Sequence, residues 1–383
     1  MKNKIEDVLI LSAIDPTHAY SCIKYLYCSL SDRDTKIECW SRVPKDSCLI
    51  YYSWGKNLRS FCESPLMNIP KVRTIYMKLI GFFKCFKYRN KTIICHDLFF
   101  YRSARIVKHF FKDTRLILYF TEIYNEKHSK FLQKLQQDFI NHPNEADLMI
   151  ECDYQREHWR ITSNYVKTES STILNTIPYK EVEQYLIKPK AHNPIPKIAY
   201  SGGVHEKGEF SIIIDALSEI QMDFEMDFYC FGSDTALDEL EAECEQKIAG
   251  KYQVIRNLPR EEVFKHLYNA DVGITYYDPE YSINTLYAAP TKFFEYIGLA
   301  IPVICSGNPS LDSLIDKYGL GIYMKENNSE GMKQCIEYIL SHKDKQIEFS
   351  NNEKRAFRDY LCYEKQSKAA ISQIMELIDN HSL

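Results

Sequence analysis

Between residues 197 and 342 the chain alternates short apolar runs with amphipathic stretches, and this rhythm leaves few folds open. The runs at 197–201, 227–231, 252–255, 271–276, 301–305 and 321–324 read as strands. Helical spacing of apolar residues fills the intervals at 209–220, 235–248, 259–269, 290–298, 310–317 and 329–342. Strand, crossover helix and next strand imply parallel pairing, with the sheet covered on both faces. The first half repeats the pattern less regularly. Strands are expected there at 5–11, 36–40, 92–95, 115–120, 147–151 and 171–174, with helices at 18–30, 99–112 and 126–140 among others. The expected fold class is α/β, with two Rossmann-like, doubly wound parallel-sheet domains. Such domains take ligands beyond the carboxyl ends of their strands, here in a cleft between them.

The 383 residues suffice for two cores. Charge divides them: net charge is +9 through residue 190 and −13 beyond it. The join lies at Lys188-Pro189-Lys190-Ala191-His192-Asn193-Pro194-Ile195-Pro196, where three prolines break any periodicity, as in a linker. The expected domains are 1–190 and 191–360, followed by a C-terminal segment 361–383. Its helix, at 364–379, sets Ile371, Ile374, Leu377 and Ile378 on one face. Apolar residues at 45% and charged residues at 26% exclude a disordered or collagen-like chain. No apolar run reaches the length of a membrane span. The run Val8-Leu9-Ile10-Leu11 reads as a first strand, not a signal peptide. Thirteen cysteines without a C-x-x-C pair speak against a zinc ribbon or a disulfide framework, and for reduced thiols in a cytosolic protein.

Four stretches could carry chemistry. The first is Tyr200-Ser201-Gly202-Gly203-Val204-His205-Glu206-Lys207-Gly208, between a strand and a helix. The glycines admit a ligand close to the backbone, and Lys207 near a helix N-terminus suits a phosphate. The alternative is a tight turn with a solvated lysine. The second runs from Asn284 through Tyr287, Pro290, Thr291 and Lys292 to Glu295 and Tyr296. Free N–H groups at the helix start favour an anion, and the Glu295 carboxylate can accept from a ribose diol. Solvated or salt-bridged helix residues are the alternative, weakened by the apolar neighbours Phe293, Phe294 and Ile297. The third is Val254 to Val263, where backbone groups of Asn257 and Leu258 could read a nucleobase edge, or simply join strand to helix. The fourth gathers His18, His96, Asp97 and Glu122 near strand ends of the first half, as sugar or acceptor contacts or as structural residues.

The stretch 71–91 carries Lys71, Arg73, Lys78, Lys84, Lys87, Arg89 and Lys91 and no acid. As a helix it would place Ile75, Leu79, Phe82 and Phe86 on one face, opposite Arg73, Lys84, Lys87 and Lys91. That suits an anionic membrane surface or a phosphate-bearing lipid. The alternative is a helix buried against the sheet with a solvated basic face. Nucleic acid is not an expected partner, because the total charge is −4 and no recognition motif is present.

The ordered set of motifs from Lys197 to about Tyr323 resembles the nucleotide-sugar-binding domain of GT-B glycosyltransferases, in particular glycosyltransferase family 4. Its pieces are the strand-Gly-Gly with Lys207-Gly208, then Phe228-Tyr229-Cys230-Phe231-Gly232, then Asn257-Leu258-Pro259 with Glu262. Tyr268-Asn269-Ala270-Asp271-Val272-Gly273-Ile274 and Pro290, Lys292, Glu295-Tyr296 and Pro302-Val303 complete it. The first half is similar to the family's acceptor domain more loosely, through His96-Asp97, Glu122, Ala146-Asp147-Leu148-Met149-Ile150 and Asn175. The resemblance implies that the C-terminal helix crosses back to the first domain. It implies a diphosphate contact for Lys207 and a ribose contact for Glu295, the second glutamate of an E-x7-E motif. The loop 284–291 would wrap the diphosphate. Two departures stand out. Tyr287 occupies the place of the first glutamate, and no arginine precedes Lys207 in its loop. The Pro290-Thr291-Lys292 variant is similar to bacterial polysaccharide-type members, with Lys292 supplying charge.

The resemblance implies a retaining glycosyltransferase of polysaccharide or glycolipid assembly, as in capsule or lipopolysaccharide synthesis. Its donor would be a UDP-sugar or GDP-sugar, and its acceptor a glycan or a lipid-diphosphate-linked sugar. The expected donor-side residues are Gly203, Lys207, Asn257, Leu258, Asn284, Tyr287, Thr291, Lys292 and Glu295. His96 and Glu122 are the catalytic candidates, with His18 and Asp97 on the acceptor side. No D-x-D motif stands at a strand end, so no metal and no further cofactor are expected. The expected location is cytoplasmic, with peripheral membrane contact through 71–91. Tyr287 keeps open a non-catalytic GT-B-like protein that binds a nucleotide-sugar or a partner, and a sugar-nucleotide epimerase is a third reading.

Overall fold

The computed structural model describes residues 7–13, 21–33, 35–43, 47–52, 59–61, 70–164, 166–188, 193–204 and 210–379. His18, Lys207 and residues 189–192 of the expected linker lie outside them. The chain divides into two units, one of residues 1–175 with 366–383, the other of residues 176–365.

In the first unit the elements run β1 (Val8–Ser12), α1 (Ser21–Ser31), β2 (Ile37–Val43), β3 (Ser47–Tyr52), β4 (Arg59–Phe61), α2 (Pro70–Lys87), β5 (Thr92–His96) and α3 (Tyr101–Phe110). They continue as β6 (Arg115–Phe120), α4 (Lys130–Asn141), β7 (Leu148–Glu151), α5 (Tyr154–Asn164) and β8 (Glu169–Thr172). The strands form one sheet in the order β4-β3-β2-β1-β5-β6-β7-β8. The apolar run at the N-terminus is its central strand β1, buried at every residue and paired in parallel with β2 and β5. Six strands are parallel, as the alternation requires; β3 and β4 extend the edge as antiparallel strands.

The second unit holds α6 (Tyr179–Leu186), β9 (Lys197–Val204), α7 (Ser211–Ser218), β10 (Glu225–Gly232), α8 (Asp234–Ile248), β11 (Tyr252–Arg256), α9 (Arg260–Leu267) and β12 (Val272–Thr275). Next come α10 (Ile283–Leu286), α11 (Thr291–Gly298), β13 (Val303–Cys305), α12 (Pro309–Tyr318), β14 (Gly321–Tyr323), α13 (Ser329–Ser341) and α14 (Lys343–Ala356). A π-helical turn at Phe357–Leu361 and α15 (Tyr363–Gln366) lead to α16 (Lys368–Asp379). The sheet is wholly parallel, in the order β11-β10-β9-β12-β13-β14. Helices α7, α8 and α13 supply Ile213, Leu217, Leu237 and Ile336 to a core that also takes Ile198, Phe228 and Ile274 from the strands.

The boundary between units falls at 175/176, not at the proline-rich stretch near 190. Segment 176–188 is held by the second unit: Ile177 accepts the N–H of Tyr363, Glu181 pairs with Arg260 at 3.5 Å, and the Tyr185 ring lies 5.4 Å from that of Tyr268. The crossing back comes at 365/366, slightly later than 360/361. Helix α16 belongs to the first unit, where Gln373 donates to Glu169 at 2.8 Å and Thr35 to the Met375 sulfur at 3.6 Å.

Helix α2 buries Met77, Gly81 and Cys85 in the core, with Tyr88 just past its end, and carries a second apolar stripe on its outer side. Ile75, Leu79, Phe83 and Phe86 are exposed, whereas Phe82 is half-buried. Lys84 and Lys87 reach inward instead, to the buried carboxylate of Glu38 on β2 at 2.6 and 2.9 Å. Trp40 Nε1 (2.6 Å) and the Tyr88 hydroxyl (2.7 Å) donate to the same carboxylate. Burial alone would raise the Glu38 pKa, but the donors Lys84, Lys87, Tyr88 and Trp40 bring it down to about 2. Depression below the ordinary 4.5 means stability present above that pH and lost as pH falls toward 2. Glu38→Gln is therefore expected to cost about 2 kcal/mol near neutral pH. In urea titrations the gap to the unaltered protein should close on acidification; a gap constant with pH would contradict this account.

Candidate functional site

In the second sheet, connections run to one side of β9 and then to the other, so strand order reverses between β9 and β12. A parallel sheet opens a crevice at such a point, beyond the carboxyl ends of its two central strands. The side chain of Lys292 fills that position. Its ammonium lies 3.8 Å from the centroid of the Tyr200 ring on β9 and 5.3 Å from that of Tyr277, just past β12. It also donates to the Tyr200 hydroxyl. Lys292 is buried in the first turn of α11, which Pro290 precedes as N-cap.

Two features of the sequence make room for it. Gly202 has φ +153°, and a Cβ there would stand 2.5 Å from Lys292 Nζ. Any side chain at 202 would thus both strain the backbone and displace the ammonium. The Tyr296 hydroxyl, one turn further along α11, accepts the Ser201 N–H at 2.8 Å and so clamps the helix to the end of β9. Gly203 follows at the same strand end, paired with Phe231 of β10.

Glu295 follows Lys292 by three residues and shares its face of α11. It too is buried, and its Oε1 accepts from Arg260 Nε of α9 at 2.8 Å. That bond fixes one oxygen and leaves the carboxylate further acceptor capacity. Upstream, Ser282 and Thr285 form a reciprocal capping box on the single turn α10, with Asn284 inside it and half-buried Tyr287 at its end. Buried Asn308 donates to the Thr285 carbonyl at 2.7 Å and ties this turn to the end of β13. Thr291 opens α11, half-buried. Asn257, exposed with φ +53°, donates its N–H to the Cys230 carbonyl at 2.8 Å; Leu258 follows, half-buried. Structure thus brings Gly203, Lys292 and Glu295 to the neighbouring ends of β9 and α11. The sequence reading named Tyr200 and Arg260 within its stretches without giving either a role, and missed Tyr277, which looks like a loop aromatic.

In the first sheet the reversal lies between β1 and β5, and His96 and Asp97 of the fourth stretch stand beside it. Ser12 Oγ is 2.8 Å from His96 Nδ1, and His96 Nε2 is 3.0 Å from Thr121 Oγ1. Thr121 donates to Asp97 through its hydroxyl and its N–H, both at 2.9 Å, and the Glu122 N–H adds a third bond at 3.3 Å. Asp97 adopts φ +55°, which folds its carboxylate back onto those donors. His96 and Asp97 are 1% and 2% exposed, and burial holds the His96 pKa below its ordinary value despite the pull of Asp97 and Glu122. Of the two roles left open for them, this geometry favours the structural one: His96 and Asp97 turn inward and strap the sheet end. Glu122 alone of the three stays half-exposed.

Among the described residues, no group of three or more His, Cys, Asp and Glu is placed to hold a metal ion. No helix there is long and apolar enough to cross a membrane.

No family model matches the chain, and no curated protein does. Solved structures match nearly its whole length. Sucrose-phosphate synthase from Thermosynechococcus elongatus is 13% identical, covering 98% of this chain and 100% of its own at a TM-score of 0.74. A UDP-forming α,α-trehalose-phosphate synthase from Burkholderia vietnamiensis is 8% identical, with coverages of 99% and 100% and a TM-score of 0.70. HepE from Anabaena, in complex with UDP-glucose, is 11% identical, with coverages of 97% and 100% and a TM-score of 0.68. At such identities the likeness establishes the fold, which is the GT-B architecture of two Rossmann-like units.

Proposed function

We propose that this chain is a glycosyltransferase that moves a sugar from a nucleoside diphosphate to an acceptor hydroxyl. The observation that carries the reading is the Lys292 ammonium, set between Tyr200 and Tyr277 where the strand order of the second sheet reverses. A fixed cation in a low-dielectric site stabilises the charge that develops on a departing diphosphate. The positive end of the α11 dipole, at its first turn, would add to it. Glu295, oriented by Arg260, would take the ribose hydroxyls. UDP-sugars are the first donors to test, because structures of this fold include complexes with UDP, UDP-glucose and UDP-2-fluoro glucose.

The finer reading follows the resemblance to family 4. It assigns retention at the anomeric carbon, with the departing phosphate taking the acceptor proton, and a glycan or lipid-diphosphate-linked acceptor in cell-surface polysaccharide assembly. Its location is cytoplasmic. Lys207 joins the donor site in that reading.

A thermal-shift screen against UDP, GDP and their sugars tests the donor site. A nucleotide at 100 times its dissociation constant should stabilise the fold by about 2.7 kcal/mol, readily seen in the midpoint. No shift with any nucleotide would sink the proposal. A second reading rests on Tyr287, which stands where the first glutamate of the motif would be. A non-catalytic binding protein would bind UDP yet release none from a UDP-sugar in the presence of glycan or glycolipid acceptors.

A further inference from the structure

Helices α2 and α3 lie side by side in the first unit, with the Phe86 and Phe111 rings 5.6 Å apart. They approach so closely that a Cβ on Gly81 would stand 2.4 Å from the Phe100 ring. The outward ridge of α2 is apolar: Ile75, Leu79, Phe83 and Phe86 are 61, 54, 67 and 44% exposed. At 100° per residue these four fall within an arc of about 80°. Phe110, the last residue of α3, is 74% exposed. A monomer that faces only water rarely keeps so many large apolar side chains in one ridge.

Charge indicates what covers it. From residue 70 to 112 there are 11 Lys and Arg, and the only acid is the buried Asp97. Lys84, Lys87, Lys91, Arg105 and Lys108 pair with acids from elsewhere in the unit. Lys71, Arg73, Lys78, Arg89, Arg102 and Lys112 have no ion-pair partner among the described residues. Arg89 stacks on the Phe86 ring at 4.9 Å, at one end of the ridge. Lys78 and Arg102 sit close enough that, beyond partial burial, Arg102 lowers the Lys78 pKa. An apolar ridge edged by uncompensated cations matches a surface with an apolar interior and an anionic skin.

We propose that the α2–α3 face docks on anionic phospholipid bilayers, the ridge entering the acyl boundary and the flanking cations meeting headgroup phosphates. This face is independent of the donor site, so the two readings fail separately. The test mixes the full chain with vesicles of phosphatidylcholine, with or without phosphatidylglycerol, and sediments them. The protein should pellet with the phosphatidylglycerol vesicles, and less so as salt is raised. Leu79→Ser/Phe83→Ser should abolish pelleting, and Lys71→Gln/Arg89→Gln/Arg102→Gln should weaken it roughly tenfold or more. All these side chains lie at or near the surface, so thermal midpoints should hold, and Lys292→Met should pellet like the unaltered protein. Failure to pellet with phosphatidylglycerol vesicles overturns the proposal, as does pelleting that neither variant reduces. So does a dimer in sedimentation velocity that Phe83→Ser dissociates in the absence of vesicle binding, because a second copy would then be the occupant.

Discussion

Replacing Lys292 by methionine is expected to weaken UDP binding by roughly 30- to 1,000-fold with little change in folding stability. The range follows from truncating a buried, hydrogen-bonded charge that meets an opposite charge on the ligand, about 2–4 kcal/mol. Methionine keeps the unbranched apolar stem of lysine and is one atom shorter, so most of the packing between Tyr200 and Tyr277 survives. What disappears is the cation and its bond to the Tyr200 hydroxyl. Arginine should not rescue the variant, since the space beside Gly202 is already filled by the lysine ammonium. Glu295→Gln makes the useful contrast. An amide still accepts with one oxygen, so its loss should be smaller and should fall on the ribose, narrowing the preference for UDP over its 2′-deoxy form. Titration calorimetry on the three proteins decides the matter. Unchanged UDP affinity in a well-folded Lys292→Met protein would remove the ammonium from the donor site.

The alternation of strands and helices was readable because parallel strands are buried on both faces, so β5, β6, β9 and β12 stand out as apolar runs. Strand β3 contains the apolar run Cys48-Leu49-Ile50-Tyr51-Tyr52 but was not placed in the strand order, because no helix separates it from β2; β4, only Arg59-Ser60-Phe61, carries no such run. Helix α14 escaped for another reason. Its buried positions are Gln346, Phe349, Glu353 and Ala356, correctly spaced for a helix but half polar. Helix α5 inverts the usual signal altogether, burying Arg156, Arg160 and Asn164. On α2 the periodicity was readable but which stripe meets the core was not: Met77, Cys85 and Tyr88 are buried, while Ile75, Leu79 and Phe86 face outward. At the candidate site, the local signals were the glycine pair and the lysine at a helix start. The meeting of Lys292 with Tyr200, 92 residues away, is set by sheet order and could not be read from spacing.

The inverted face of α5 leads to the largest stability effect expected in this protein. Arg160 and Glu151 are both fully buried and paired to each other. The guanidinium lies 3.7 Å from the centroid of the Phe120 ring and donates to the Glu122 carbonyl at 3.2 Å. Arg160 Nη1 and Glu151 Oε2 find no hydrogen-bond partner among the described residues. Burial pushes the Glu151 carboxyl up to about 7 against the pull of Arg160 and Arg156. Arg160→Met removes the main compensation and should cost about 3–5 kcal/mol near neutral pH. The pH dependence has a definite sign. A folded-state pKa above the ordinary 4.5 means that the folded protein holds a proton the unfolded chain has released. Stability from this group is therefore present below about 4.5 and lost as pH rises through 7. Without Arg160 that pKa rises further, so the variant should lie closest to the unaltered protein in mild acid and furthest from it in mild base. Arg160→Met/Glu151→Leu should recover most of the loss, since an apolar pair in the same volume needs no compensation. Urea denaturation of the set at two pH values, one on each side of 7, separates the terms. A loss below about 1 kcal/mol, or one independent of pH, would mean that water or a local shift already relieves the buried charge.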